Sequence, residues 1–317
     1  VVPTRISRRF LLSLYLTVPL SVLLVAADVL FLKGWVKRHV PFIPEQLAGY
    51  TVLFNAPHLV ASELTFFDRD YLGYYRKQLL LGVPVSIGIV MLVVHFCTVA
   101  QMQMVNVALV NYHLMAQQIG LSRPMTESRG PWLDALKWMA VVVYIAAFAP
   151  VFLPTTSGQP FIPLVWNCTL LLLIPMAYAL SEVYRSSRTT IGKFYVLGNA
   201  LMLAAMIPAA KLGYFFFLIL VPRVVHDFTA YSFYVTHDLN RNRELPHNLI
   251  YRCVRGTGVP VAVLFPVLSI VLAYALSHAL DGRGLALFIG PIALFHYFIE
   301  GVIWKGSAPH RRSIAFA

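Results

Sequence analysis

Five histidines lie inside apolar stretches where a lipid-embedded helix ordinarily carries leucine or valine. They are His58 in NAPHLVASE, His113 in NYHLMAQQIG, His226 and His237 in VVHDFTAYSFYVTHDLNRN, and His296 in HYFIEGVIW. An ionisable side chain inside a membrane is costly and as a rule faces a cavity, a partner or a substrate. Imidazoles with carboxylates nearby are what an iron, zinc or copper ion takes as ligands. The chemistry these residues suggest is therefore a metal centre held by His58, His113, His226 and His296. Glu300 and Asp227 are the carboxylates that could join it as ligands or catalytic groups, and His237 is a further imidazole on the same helix as His226.

Helical spacing supports a site between helices, because residues four, seven and eleven apart share a face. Asn106, His113 and Gln117 fall on one stripe, and Thr51, Asn55, His58 and Ser62 on another. His296 and Glu300 are four apart. His226 shares a face with Phe233 and His237, and Asp227 shares one with Tyr231, Tyr234 and Asp238. Gln117, Asn55 and Asp227 are candidate acceptors that would fix the imidazole tautomers. At about 1.5 Å per residue, His58, His113, His296 and His226 fall roughly 9–18 Å from one end of their spans, a common layer. Pro57 is expected to free a backbone carbonyl one turn earlier, which is tolerable only inside protein or a wet cavity.

The elements that carry these residues are membrane helices. Of 317 residues, 59% are hydrophobic and 12% charged, with a mean hydropathy of +0.72. A soluble domain carries about a quarter charged residues, so this composition indicates an integral membrane protein. The formal charge of +12 does not point to nucleic acid, because the basic residues sit in short segments between apolar spans, where lipid headgroups attract them. Cys97, Cys168 and Cys253 are far apart and form no Cys-x-x-Cys pair, so neither a disulfide framework nor a thiolate metal site is expected.

Candidate spans fall at 10–32, 45–66, 79–98, 102–119, 131–153, 160–180, 193–210, 212–238, 258–279 and 284–305, with a turn near Thr98–Gln101. The fold class expected is all-α, a polytopic bundle of about 8–10 spans forming a single transmembrane domain over 1–317. The first span, behind RISRR, is long enough to be retained as a helix rather than removed as a leader. Clusters such as Arg5/Arg8/Arg9, Arg123/Arg129 and Lys305/Arg311/Arg312 alternate with the charge-poor 154–160 loop. That pattern fits both termini in the cytoplasm of a bacterial inner membrane, although KGWVKRHV then falls on the outer side.

Other polar residues read more plainly. His237 suits a helix C-terminal cap, His95 a packed and hydrogen-bonded ring, and His310 a loop. Glu63, Asp68 and Asp70 read as interfacial charges, and FFDRDYLGYY as interfacial or lipid-facing aromatics. Asp28 in the first span has no evident partner. Tyr112, Tyr231 and Tyr297 are candidates to donate hydrogen bonds near the centre. The histidine sets of membrane desaturases, the Asp-rich motifs of prenyltransferases, Gly-rich phosphate loops, the His-Glu-x-x-His helix and the nucleophile elbow are all absent from the sequence.

The segments NAPHLVAS, NYHLMAQQIG, VVHDFTAYSFYVTHDLNRN and HYFIEGVIWK resemble a broad group of bacterial polytopic proteins associated with the membrane β-carotene dioxygenases that make retinal. The resemblance implies a helical protein with a non-haem iron held by four histidines. Two histidines of that family lie four residues apart, and this chain has no such pair, so what carries over is the general design rather than the substrate. The function expected is a membrane oxygenase, iron-dependent with zinc or copper as alternatives and with one or two metal ions. It would act with O₂ on a lipophilic small molecule entering from the surrounding lipids. A transporter or channel with a His/Asp path and a haem-binding electron carrier remain alternatives.

Overall fold

The computed structural model describes residues 3–47, 50, 56–128, 130–149, 161–279 and 282–317. Thr51, Asn55, Arg129 and the 154–160 loop lie outside the described residues, as does the carbonyl one turn before Pro57. The protein is all-α, 83% helical. Five helices among the described residues are long and apolar enough to cross a bilayer: Arg8–Leu30, Arg76–Phe96, Ile162–Ser186, Thr190–Lys211 and Phe215–Arg241. This makes the chain an integral membrane protein. Helices follow from the solvent, because lipid offers no partner for a backbone N–H or C=O and each must be satisfied within the segment. Val99–Thr126, Pro131–Ala147, Val261–Ala279 and Gly282–Ile303 fall where four further spans are expected. Within span 45–66 the described α-helix is Ala56–Leu64, nine residues followed by a 3-10 turn at Thr65–Phe67; at about 14 Å that helix alone is less than half of a bilayer core of about 30 Å.

The expected turn near Thr98 is present and its cause is local. The Arg76–Phe96 helix ends, Cys97 is extended, and Thr98 caps the Val99–Thr126 helix in a capping box with Gln101. The Thr98 amide donates to Gln101 Oε1 at 2.8 Å, so two otherwise orphaned donors are met reciprocally.

The chain divides into two compact units. The first comprises Val1–Ser7, Ala48–Cys97 and Asp227–Ala317. Its apolar core gathers Ala61, Phe66, Tyr71, Tyr75, Tyr234, Tyr251, Phe295, Ile299 and Ile303. Gly82 lets the Arg76–Phe96 helix approach the rings of Phe295 and Phe298, where a Cβ would sit about 3 Å from them. The two chain ends pair in parallel, Arg5 with Ala315 and Ile6 with Phe316. Asn240 fastens both ends: it accepts from the Thr4 amide at 2.8 Å and donates to the carbonyls of Thr4 and Ser313 at 2.9 and 2.8 Å.

The second unit comprises Arg8–Leu47 and Thr98–His226. Its centre is polar: Tyr15 and Tyr195 both reach Gln118 Oε1, at 3.1 and 3.2 Å, and Tyr15 also lies 2.9 Å from Asn199 Oδ1. Asp28, without an evident partner in the sequence, is wholly buried and has three. Its carboxylate accepts from the amides of Val36 and Lys37 at 2.8 and 3.0 Å and from the Tyr214 hydroxyl at 2.8 Å. It thereby satisfies the first amides of the short Trp35–His39 helix.

Candidate metal centre and a second polar cluster

In the first unit, Ala56–Leu64 carries His58 and Ser62 one turn apart, Gly282–Ile303 carries His296 and Glu300 one turn apart, and Asp227 comes from Phe215–Arg241. All five are buried, His296 and Ser62 completely. The rings of His58 and His296 stand edge to face with centroids 5.1 Å apart. His58 Nδ1 lies 3.3 Å from Asp227 Oδ1, and a His296 ring nitrogen and a Glu300 oxygen lie within 4.8 Å. Glu300 Oε1 accepts from the Tyr234 hydroxyl at 2.6 Å.

The Ser62 hydroxyl lies 2.7 Å from the Leu59 carbonyl and 2.7 Å from His296 Nδ1. Where it donates to the carbonyl it accepts from the imidazole, which places the proton of neutral His296 on Nδ1 and its lone pair on Nε2. The Asp227 carboxylate only accepts, and at 3.3 Å it favours the same tautomer of His58. In that tautomer the lone pair is on Nε2, the state a metal requires of a ligand.

In the second unit, His113 stands at the midpoint of Val99–Thr126 and His226 near the middle of Phe215–Arg241. Their rings are edge to face at 5.0 Å, with nitrogens within 4.8 Å, and both are buried. Pro222 has no N–H, so the Leu218 carbonyl one turn before it loses its helical donor. The Tyr144 hydroxyl lies 3.3 Å from that oxygen, which steadies the turn leading to His226. The expected His113 stripe is only half internal: Asn106 is exposed while Gln117 is half-buried. Tyr112 is exposed and stacks on Trp138, Tyr231 packs against the first unit's core, and Tyr297 meets His296 edge to face at 5.6 Å.

His237 lies elsewhere, eleven residues past His226, or about 16 Å along the helix. Both ring nitrogens carry hydrogen bonds: Nδ1 to Asp238 Oδ1 at 2.6 Å, and Nε2 to the Tyr71 hydroxyl at 2.8 Å. It is buried rather than capping the helix end. Its ring stacks on His310 at 4.6 Å, and His310 stacks in turn on Tyr71 at 3.9 Å. His310, expected in a loop, is wholly buried, with Nε2 2.9 Å from Thr65 Oγ1 and Nδ1 3.1 Å from the Tyr75 hydroxyl. The tyrosines of FFDRDYLGYY divide: Tyr71 and Tyr75 are core residues and Tyr74 is exposed. Asp68 is a buried structural carboxylate. It caps the Arg69–Tyr74 helix by accepting from the Asp70 amide and pairs with Arg241 Nε at 2.8 Å. His95 is exposed rather than packed. The four-residue spacing of Tyr71 and Tyr75 could have marked them as one buried face, although FFDRDYLGYY reads as interfacial in sequence; nothing local in SAPHRR marks His310, which packing alone buries.

The environment of this cluster sets its charges. Burial, then the neighbouring His237 and Arg241, hold the His310 imidazolium pKa down to about 2. Burial works to raise Asp68, but the Arg241 hydrogen bond and charge and the amides of Asp70 and Tyr71 outweigh it and hold the carboxyl below its ordinary range. Burial pushes the Tyr71 phenol up to about 12. A base whose folded pKa is depressed contributes its full stability above the unfolded value of about 6.5 and loses it as pH falls towards the folded one. His310 should cost about 1.4 kcal/mol of stability per pH unit below about 6.5, or roughly 2 kcal/mol by about pH 5. Thermal melts of detergent-solubilised protein over that range should show the loss, and His310→Gln should flatten it. An equally steep profile in the variant would assign the effect to other groups.

Comparison with protein-family models, with curated proteins and with solved structures finds no match for this chain.

Proposed function

We propose that this protein is a membrane-embedded, metal-dependent oxygenase that uses non-haem iron and O₂ on a lipophilic substrate. The imidazoles of the two buried pairs, His58 with His296 and His113 with His226, are its metal ligands. The observation that carries this reading is the burial of the two imidazole pairs, with His58 against Asp227 and His296 against Ser62 and Glu300. A ligand needs its proton on the far nitrogen, and an acceptor beside Nδ1 is what holds it there. Glu300, within 4.8 Å of His296, adds a carboxylate, a ligand type that non-haem Fe(II) enzymes use beside histidines. An iron bound there would supply the redox chemistry that O₂ requires.

The protein's own part is to hold and to exclude. Tyr234 donates to Glu300 and fixes which oxygen faces it. The apolar helices around the site keep water from reactive species and let a lipophilic substrate enter sideways from the bilayer. The resemblance to the β-carotene dioxygenase group supports the same reading. The pairing of the two chain ends suits an even number of crossings, and the basic clusters put those ends in the cytoplasm, in keeping with a bacterial inner membrane.

The test is elemental analysis of the full chain purified in mild detergent, beside its visible spectrum. Stoichiometric iron without a Soret band is expected. Two ions per chain would give each pair its own. Metal-free protein that neither retains nor rebinds Fe(II), Zn(II) or Cu(II) would overturn the reading.

A further inference from the structure

The Asp238–His237–Tyr71 chain has a direction. A carboxylate only accepts, so His237 Nδ1 holds the proton in its 2.6 Å bond to Asp238 Oδ1. The Tyr251 hydroxyl occupies the other oxygen at 2.9 Å. Neutral His237 then has its lone pair on Nε2, and the Tyr71 hydroxyl, 2.8 Å away, donates to it. His237, Asp238 and Tyr71 are all nearly or wholly buried, and the oxygenase reading uses none of them. A phenol bonded to a base that is itself backed by a carboxylate is arranged to lose its proton at the moment it loses an electron.

We propose that Tyr71 is a redox-active tyrosine whose phenolic proton passes to His237 when the ring is oxidised. The step balances as follows. One electron leaves Tyr71 for a one-electron oxidant, a part that the oxidised form of the non-haem metal proposed above would play if bound. The O–H bond breaks and an N–H bond forms at His237 Nε2. The imidazolium is held against the Asp238 carboxylate, and a neutral phenoxyl radical remains. Reduction by one electron returns the proton.

Aromatic rings supply a route inward. His237 lies 5.5 Å from Tyr71 and 6.4 Å from Trp304, Trp304 lies 5.2 Å from Tyr234, and the Tyr234 hydroxyl binds Glu300. On the other side, the Arg241 guanidinium lies 4.8 Å from the Tyr71 ring and pairs with exposed Asp70, so the same chain of groups reaches the surface. The inward route rests on the metal reading. The redox activity of Tyr71 does not.

The test uses the full chain in nanodiscs, labelled with ¹⁵N-histidine, stripped by a chelator and oxidised by a flash-generated ruthenium(III) complex. Electron paramagnetic and nuclear double resonance should reveal, beside signals from exposed tyrosines such as Tyr74, a tyrosyl radical coupled to an exchangeable proton and to imidazole ¹⁵N. Tyr71→Phe should abolish that component alone. Asp238→Asn should cut it about tenfold or more, because an amide can donate to Nδ1 and reverse the tautomer. A merely structural hydrogen bond would leave no such signature. Its absence from the wild-type spectrum, or its persistence in Tyr71→Phe, would overturn the proposal. A radical that forms by photo-oxidation yet never under O₂ in iron-loaded protein would uphold Tyr71 and count against the metal reading.

Discussion

Alanine at His58, His113, His226 or His296 is expected to lower metal affinity by more than about a hundredfold, and Ser62→Ala alone by about tenfold or more. The scale comes from outer hydrogen-bond partners of metal ligands, whose loss typically costs about 10–100-fold. Removing a ligand should exceed the top of that range. Ser62 is the sharper test because it would touch no metal. Its hydroxyl lies 2.7 Å from both the Leu59 carbonyl and His296 Nδ1, and on the proposed reading it holds the ring proton on that nitrogen. Alanine leaves His296 in place but releases the tautomer, and the ring then spends part of its time with the proton on the nitrogen that must bind. Asp227→Asn removes the charge 3.3 Å from His58 and should act in the same direction. Competition with a calibrated chelator measures each affinity, and a melting curve separates loss of metal from loss of fold. If Ser62→Ala bound metal as tightly as the wild type while its His296 counterpart did not, the assigned proton positions would be wrong even though His296 was a ligand.

The helices and the buried positions of His58, His113, His226 and His296 were legible in the sequence for one physical reason; which of them stand ring to ring was not. In lipid the apolar run decides the element, and a polar residue within that run stands out as a cost. Thr98 and Gln101 announced their turn because a capping box is local. What the sequence did not disclose is whatever depends on distant residues meeting. His310 follows the last span in SAPHRR, a stretch like any basic tail, yet it is buried between Tyr71 and His237. Asp68 looked like one of several surface carboxylates until Arg241, far along the chain, was found 2.8 Å away. His237 illustrates the same limit from the other side. Its position on the His226 face suggested a ligand, but its immediate neighbour Asp238 and distant Tyr71 occupy both its nitrogens. Ser62 was legible on the His58 stripe, but its partner, His296, is on another helix.

Gly192→Ala is expected to destabilise the protein by about 3 kcal/mol, the upper end of the usual cost of overpacking, with a fall in melting temperature of roughly 5–10 °C. At Gly192 the Thr190–Lys211 helix crosses the end of Val99–Thr126, the helix that carries His113. A Cβ there would stand 2.5 Å from the Met125 carbonyl oxygen and 2.6 Å from the Thr126 Cα. Both are backbone atoms, so no rotamer change can relieve the clash and the two helices must part. The crossing is also stitched by Thr189, whose hydroxyl donates to the Met125 carbonyl and accepts from the Gly192 amide. Separation would therefore break a helix cap as well. Gly120 provides the control. It lies on the same Val99–Thr126 helix with nothing within 4 Å of its Cβ position, so Gly120→Ala should be neutral or gain up to about 1 kcal/mol from helix propensity. Melting curves of the two variants side by side measure the contrast. Equal effects at the two positions would mean that the Gly192 crossing is looser than its geometry indicates, and His113 would then lose the rigid support that a ligand on that helix needs.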